Sequence, residues 1–175
     1  MSPAKYEADP TSSETVPAGS TAPVVKTVRV RANAARAFRV FTEGIDTWWP
    51  RSHHIGSSPM TKAMMEGRAG GRCYSEQQDG TECDWGQVTV WEPPARFVMA
   101  WKIRPNWQYE PDVSKCSEVE VTFTPLADGS TNVVLEHRNF ERHGIGGDAM
   151  RGQVDQPGGW SALMTLFAAK AEEEA

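Results

Sequence analysis

The residues with chemical potential are few and widely spaced: four histidines, three cysteines and one pair of neighbouring acids, Glu118 and Glu120. His137 stands out. It shares parity with Val133 and Leu135 in the run Thr131 to Arg138, so on a strand it points to the covered face. Two readings stand for it. One is a buried histidine satisfied by one or two hydrogen bonds. The other is a polar anchor at one end of an apolar pocket, fixing the orientation of a ligand. A general base would also need a substrate within hydrogen-bond reach and a suitable pKa, so no catalytic residue is assigned.

Cys73 and Cys83 flank Asp79-Gly80, a pair that favours a tight hairpin turn. A two-residue loop would pair Cys73 with Gly86 and set the two cysteines on opposite faces, whereas a three-residue loop changes that parity. Neither these thiols and Cys116 nor His53, His54 and His143 have the spacing of a structural zinc site. No metal and no other cofactor is expected. Gly144-Ile145-Gly146-Gly147-Asp148-Ala149 formally matches a dinucleotide fingerprint, but no βαβ unit surrounds it and no later strand carries a ribose-binding acid. It reads as a flexible approach to the final helix. Glu118 and Glu120 fall on the wet face of their strand, a solvated edge rather than an acid and base.

The elements that must position these groups follow from periodicity. The last segment, Gly158 to Glu174, carries Trp160, Leu163, Met164, Phe167 and Ala171 at helical spacing, with Leu166 widening the stripe. Almost everything upstream reads as strands, so this helix needs a sheet. Val24–Val30 is the first strand. Asn33 can cap a short helix bearing Ala34, Ala37, Phe38 and Phe41, and Ile45 to Trp48 can form a second. Weak strand character at Ala63–Glu66 precedes Arg72–Glu76, Cys83–Glu92, Arg96–Ile103, Ser117–Thr124 and Thr131–Arg138. The long loop Arg104 to Lys115 holds Trp107 and Tyr109, either of which could close a pocket mouth. The order strand, two short helices, six or so strands and long helix makes an α+β domain, a curved antiparallel sheet with helices on one side.

Composition narrows the partners. The 175 residues suit one domain of roughly 150 residues plus a tail. Residues 1–23, rich in Ser, Thr, Pro, Ala and Glu, read as a disordered tail, and 24–175 as a single domain. A net charge of −5 argues against nucleic acid or an anionic membrane as partner. An odd, sparse set of cysteines and the lack of an apolar signal segment make a cytoplasmic setting the default.

The motifs also carry a resemblance. Phe38-x-x-Phe41 before Trp48-Trp49-Pro50, Gly70-Gly71-Arg72, Trp85-Gly86-x-Val88, Glu92-Pro93-Pro94-x-Arg96, Ser117-Glu118-Val119, Leu135-x-His137 and Gly159-Trp160 occur in order. Together they resemble the START-like (SRPBCC) superfamily, and within it the domain named after the activator of the heat-shock-protein-90 ATPase. The resemblance spans Val24 to Ala171 and implies a helix-grip fold, with a cavity between the curved sheet and the C-terminal helix. The eukaryotic activators carry a further N-terminal domain that contacts the chaperone. The polar segment before Val24 is too short for one, so contact with a chaperone is not supported.

Within such a cavity the expected walls are Trp49, Phe97, Met99, Trp101, Trp107, Trp160, Met164 and Phe167, with His137 as the polar anchor. The function expected is therefore non-catalytic binding of a small hydrophobic molecule. A cyclase- or dehydratase-like enzyme using the same cavity, and a protein-interaction module related to the chaperone activators, are the alternatives.

Overall fold

The computed structural model describes residues 19–173. Seven strands form one antiparallel sheet: β1 Val24–Val30, β2 Met60–Met65, β3 Arg72–Gln77, β4 Glu82–Glu92, β5 Arg96–Trp101, β6 Ser117–Pro125 and β7 Thr131–Arg138. Their order is β1-β7-β6-β5-β4-β3-β2. The chain therefore lays β1 on one edge, crosses to the other, and meanders back from β2 to β7. The crossing contains α1, Ala34–Phe41, and a single 3-10 turn at Ile45–Thr47. Asn33 caps α1 as its residue type requires: its side-chain oxygen accepts from the Arg36 amide at 2.8 Å.

The curl of the sheet has a local cause. The pairs β1-β7, β5-β6 and β6-β7 run in unbroken register, while β2-β3, β3-β4 and β4-β5 each carry an irregularity. Bulges bend a strand and increase its twist, so this half of the sheet folds over toward the closing helix. The β3-β4 hairpin shows how. Gln77 and Thr81 close a three-residue loop with Gly80 at φ +85°, a conformation in which only glycine is unstrained. Cys73 still faces Gly86, but Tyr74 faces Asp84, which leaves Trp85 as the extra residue. Cys83 consequently pairs with Ser75, on the same face as Cys73.

The C-terminal segment differs from one uninterrupted helix. Residues Pro157–Ser161 form a wide turn with non-helical backbone at Gly159, and the regular helix α3 is Ala162–Glu172. A Cβ on Gly159 would collide with the Val154 carbonyl oxygen, so the kink requires glycine. Trp160, Leu163, Met164, Phe167 and Ala171 are all buried, and α3 packs on β1 and α1. Leu166 does not widen this stripe: it is 43% exposed.

A further helix corrects the expected flexible approach. Gly147–Val154 is α2, entered through Gly146 at φ +92°. Met150 and Val154 bury its inner side, and Arg151 Nε donates to the Ala22 carbonyl at 2.8 Å. Most of the expected tail, residues 1–18, lies outside the described residues. The Arg104 to Lys115 segment also holds more order than a plain loop, with an Ile103–Tyr109 bridge and a 3-10 turn at Val113–Lys115.

Candidate functional site

Between the sheet and the start of α3 lies an apolar pocket of about 490 Å³, counting the space open to solvent at its mouth. Trp85 of β4 and Trp101 of β5 form its sheet side, with Ile103 just beyond the strand. Gly159, Trp160 and Leu163 supply the helix side, and Val154 of α2 one corner. Trp49, His53, His54, Ile55 and Trp107 come from loops at the rim. No lysine, arginine, aspartate or glutamate lines it.

Four indoles of the lining contact one another in a closed cycle. Trp49 stacks on Trp85 with centroids 5.2 Å apart and planes 18° from parallel. Trp85 meets Trp101 edge-on at 6.0 Å, Trp101 meets Trp160 at 5.6 Å, and Trp160 returns to Trp49 at 6.2 Å. The β4 bulge is what turns Trp85 into the cycle, since the neighbouring Gly86 also lies inward. The Met99 methyl fills the space that a Cβ on Gly86 would take. Trp107 reaches the pocket from a tight turn at φ +65°, an unfavourable backbone for so large a residue.

The expected site residues separate into two groups. Trp49, Trp101, Trp107 and Trp160 line the pocket. Phe97 and Phe167 instead join Phe38, Phe41 and Phe123 in a filled aromatic cluster, and Met99 and Met164 are buried in the core beyond the lining. His137 is fully buried behind the wall, with its ring 5.1 Å from Trp101. The loop histidines His53 and His54, together with Ile55, Trp85, Ile103, Val154 and Leu163, join the lining without having been expected there. Helical spacing of Leu163 after Trp160 was a usable signal, whereas the loop residues carry no period at all.

His137 belongs to a polar chain with a definite direction. The Trp160 indole can only donate, so its Nε1–H donates a hydrogen bond to His137 Nδ1 at 3.0 Å. Nε2 of His137 must then hold the hydrogen and donates to Ser117 Oγ at 2.7 Å. The Ser117 hydroxyl in turn donates to His143 Nε2 at 2.8 Å, where the Ser117 amide also points at 3.3 Å. Every link requires neutral imidazoles. Burial, and secondarily His143, accordingly holds His137 well below the usual histidine range, and burial lowers His143. The buried-histidine reading thus has its partners in Ser117 and Trp160.

The other candidates for chemistry are quiet. All three thiols are unpaired; burial raises Cys73 and Cys83 and pushes Cys116 up to about 11, which keeps them protonated near neutrality. Glu118 and Glu120 lie in an outward ion-pair ladder with Arg96, Arg138 and Arg142. No cluster of three metal-ligating side chains occurs among the described residues. At the rim, His53 Nε2 lies 3.1 Å from the Gly158 carbonyl and ties the loop to the kinked turn. His54 Nδ1 accepts from the Gly56 amide at 3.2 Å, which puts its hydrogen on Nε2.

With this geometry in place, comparison with known proteins is decisive about ancestry. Residues 31–171 match the family described as Activator of Hsp90 ATPase homolog 1-like protein. The chain belongs to this family. Its fold and those of its structural neighbours place it in the START-like superfamily. Among solved structures, it is 38% identical to an anthrahydroquino-Gama-pyrone synthase, Txn09, solved in complex with SUM, at TM-score 0.61, covering 85% of this chain and 96% of that one. It is 27% identical to CalC, a self-sacrificing resistance protein from Micromonospora echinospora, at TM-score 0.63, covering 89% and 97%. Protein NE0264 from Nitrosomonas europaea shares the fold at 13% identity and TM-score 0.61, covering 91% and 100%. No curated protein sequence matched. No helix among the described residues is long and apolar enough to cross a membrane.

Proposed function

We propose that this member of the family binds a small, flat, hydrophobic aromatic molecule in the indole-walled pocket and holds it without chemistry. The closed cycle of Trp49, Trp85, Trp101 and Trp160 carries the reading. Indole faces offer large apolar area with a preference for stacked and edge-on partners, which suits a planar ring system. A lining without lysine, arginine, aspartate or glutamate disfavours carboxylates, phosphates and ammonium groups, because each would lose its water without meeting a fixed opposite charge.

Native mass spectrometry of the purified full chain tests this directly: a retained small molecule is expected. Indole fluorescence should also be quenched by an added tricyclic aromatic such as anthracene. Leu163→Trp, which fills the space from the helix side, should abolish both. If nothing is retained and neither anthracene nor anthraquinone quenches the wild-type protein, the reading is wrong.

A catalytic reading has one observation of its own, the 38% identity to a synthase. The polar groups at this pocket then become central, and His54, with its hydrogen on Nε2, is the rim group suited to donate it. Incubating the chain with its retained molecule and finding a product of altered mass, lost in His54→Phe, would favour this reading over simple binding.

A further inference from the structure

The four indoles of the cycle differ in what their N–H groups do. Trp49 Nε1 donates to the His53 carbonyl at 2.7 Å, and Trp160 Nε1 donates to His137. Trp101 Nε1 is sealed from solvent and has no partner among the described residues. No other buried side-chain nitrogen or oxygen among them is left in this condition. The residue itself is 95% buried, since only 5% of its surface is exposed. Its ring neighbours are Trp85, Trp160 and His137. None can accept: indoles only donate, and both His137 nitrogens are already engaged. Folded proteins rarely keep a buried donor unpaired, and where they do the position calls for an explanation.

We infer that the Trp101 Nε1–H is the specificity-determining donor of the pocket, taking a carbonyl oxygen at the edge of a planar aromatic ligand. The inference rests on the reading of the pocket as a site for flat aromatics and adds the functional group. An uncharged oxygen fits better than a carboxylate or phenolate, since no lysine or arginine lines the wall to balance a negative charge. Quinones and aryl ketones are the matching class. Because the nitrogen is covered, the oxygen reaches hydrogen-bond distance only when the indole turns slightly as the ring system enters. No competing protein acceptor has to be displaced.

The test compares two probes with one tricyclic frame, anthraquinone and anthracene, against the full-length wild type and Trp101→Phe, which keeps an aromatic ring and removes the N–H. Taking the ratio of the two affinities cancels their different hydrophobicity. That ratio should shift against anthraquinone by roughly three- to tenfold in Trp101→Phe, the size of one net hydrogen bond. An unchanged ratio, with both probes still bound, overturns the inference and leaves the pocket reading standing. Failure of both probes to bind wild type overturns the pocket reading itself, and this inference with it. Should Trp101→Phe fail to fold, the indole N–H resonance of Trp101 in isotope-labelled wild type gives the same answer. It should move downfield with anthraquinone and not with anthracene; equal response to both sinks the idea.

Discussion

Phe38, Phe41, Phe97, Phe123 and Phe167 crowd one end of the space between the sheet and α3, whereas Trp49, Trp85, Trp101 and Trp160 ring the other. The same two elements cross both ends: β5 contributes Phe97 to one and Trp101 to the other, and the closing segment contributes Phe167 and Trp160. Yet one end is filled and the other borders the pocket. Phenylalanine has no polar atom, so its rings can close on one another from every side. Each buried indole brings an N–H that needs an acceptor. That need ties Trp49 to a loop carbonyl and Trp160 to His137, and it leaves Trp101 unserved. The lesson is that the phenylalanine-rich end, where Trp48 has its N–H tied to the Val40 carbonyl, is closed by ring packing, while the other end is shaped by hydrogen-bond direction.

Breaking the filled end should have the largest effect. Phe97→Ala removes a fully buried ring from contact with three other phenylalanines. We expect a loss of about 3–5 kcal/mol in urea denaturation. Probe affinity at the far end should hold in whatever protein stays folded. His137→Phe challenges the polar side of the comparison. It keeps a ring of similar size but strands the Trp160 N–H and deprives the Ser117 hydroxyl of a donor, so a loss of about 2–4 kcal/mol is expected. A stability within experimental error of wild type would mean that the histidine does not serve as the buried support described above.

Acid provides a milder test of the same chain. His137 and His143 are both held below the ordinary histidine value of 6.5, so the unfolded chain takes up protons that the native protein does not. Their contribution is therefore fully present above about pH 6.5 and is lost as the pH falls below it, by at most about 1.4 kcal/mol per pH unit for each. Denaturation followed from about pH 7.5 down to about pH 5 should show this slope. His143→Gln should flatten it and Phe97→Ala should not. The smallest effect belongs to Leu166→Gln, on the exposed side of α3, where a change within about 0.5 kcal/mol is expected from thermal melting. A large loss there would mean that the helix buries a second face.

The fold was legible because long alternating strands and a helical stripe are strong periodic signals. The bounds of β1 and β7, the Asn33 cap and the inward parity of His137 all came from such local rules. The site was legible only in part. Trp101 and Trp160 sit on periodic elements and were placed by them. Trp85 was not, because a single-residue bulge depends on the register between two strands rather than on either one. Helix α2 was hidden by glycines at 146, 147 and 152, although Met150 and Val154 stand one turn apart and meet the core. His137 was found without its partners, since Ser117 and Trp160 lie 20 and 23 residues away and no pattern links them.

The broken turn at Gly159 has a consequence for how this scaffold can be altered. Apart from Leu163, the residues of the closing segment that face the pocket lie before α3 proper, and those that clamp the sheet, Met164, Phe167 and Ala171, lie within it. Cavity and clamp are therefore near-separate modules on one short stretch of chain. An exchange at Trp160 can remodel the chamber for a wider or narrower guest without touching Met164, Phe167 or Ala171, at the cost of the hydrogen bond to His137.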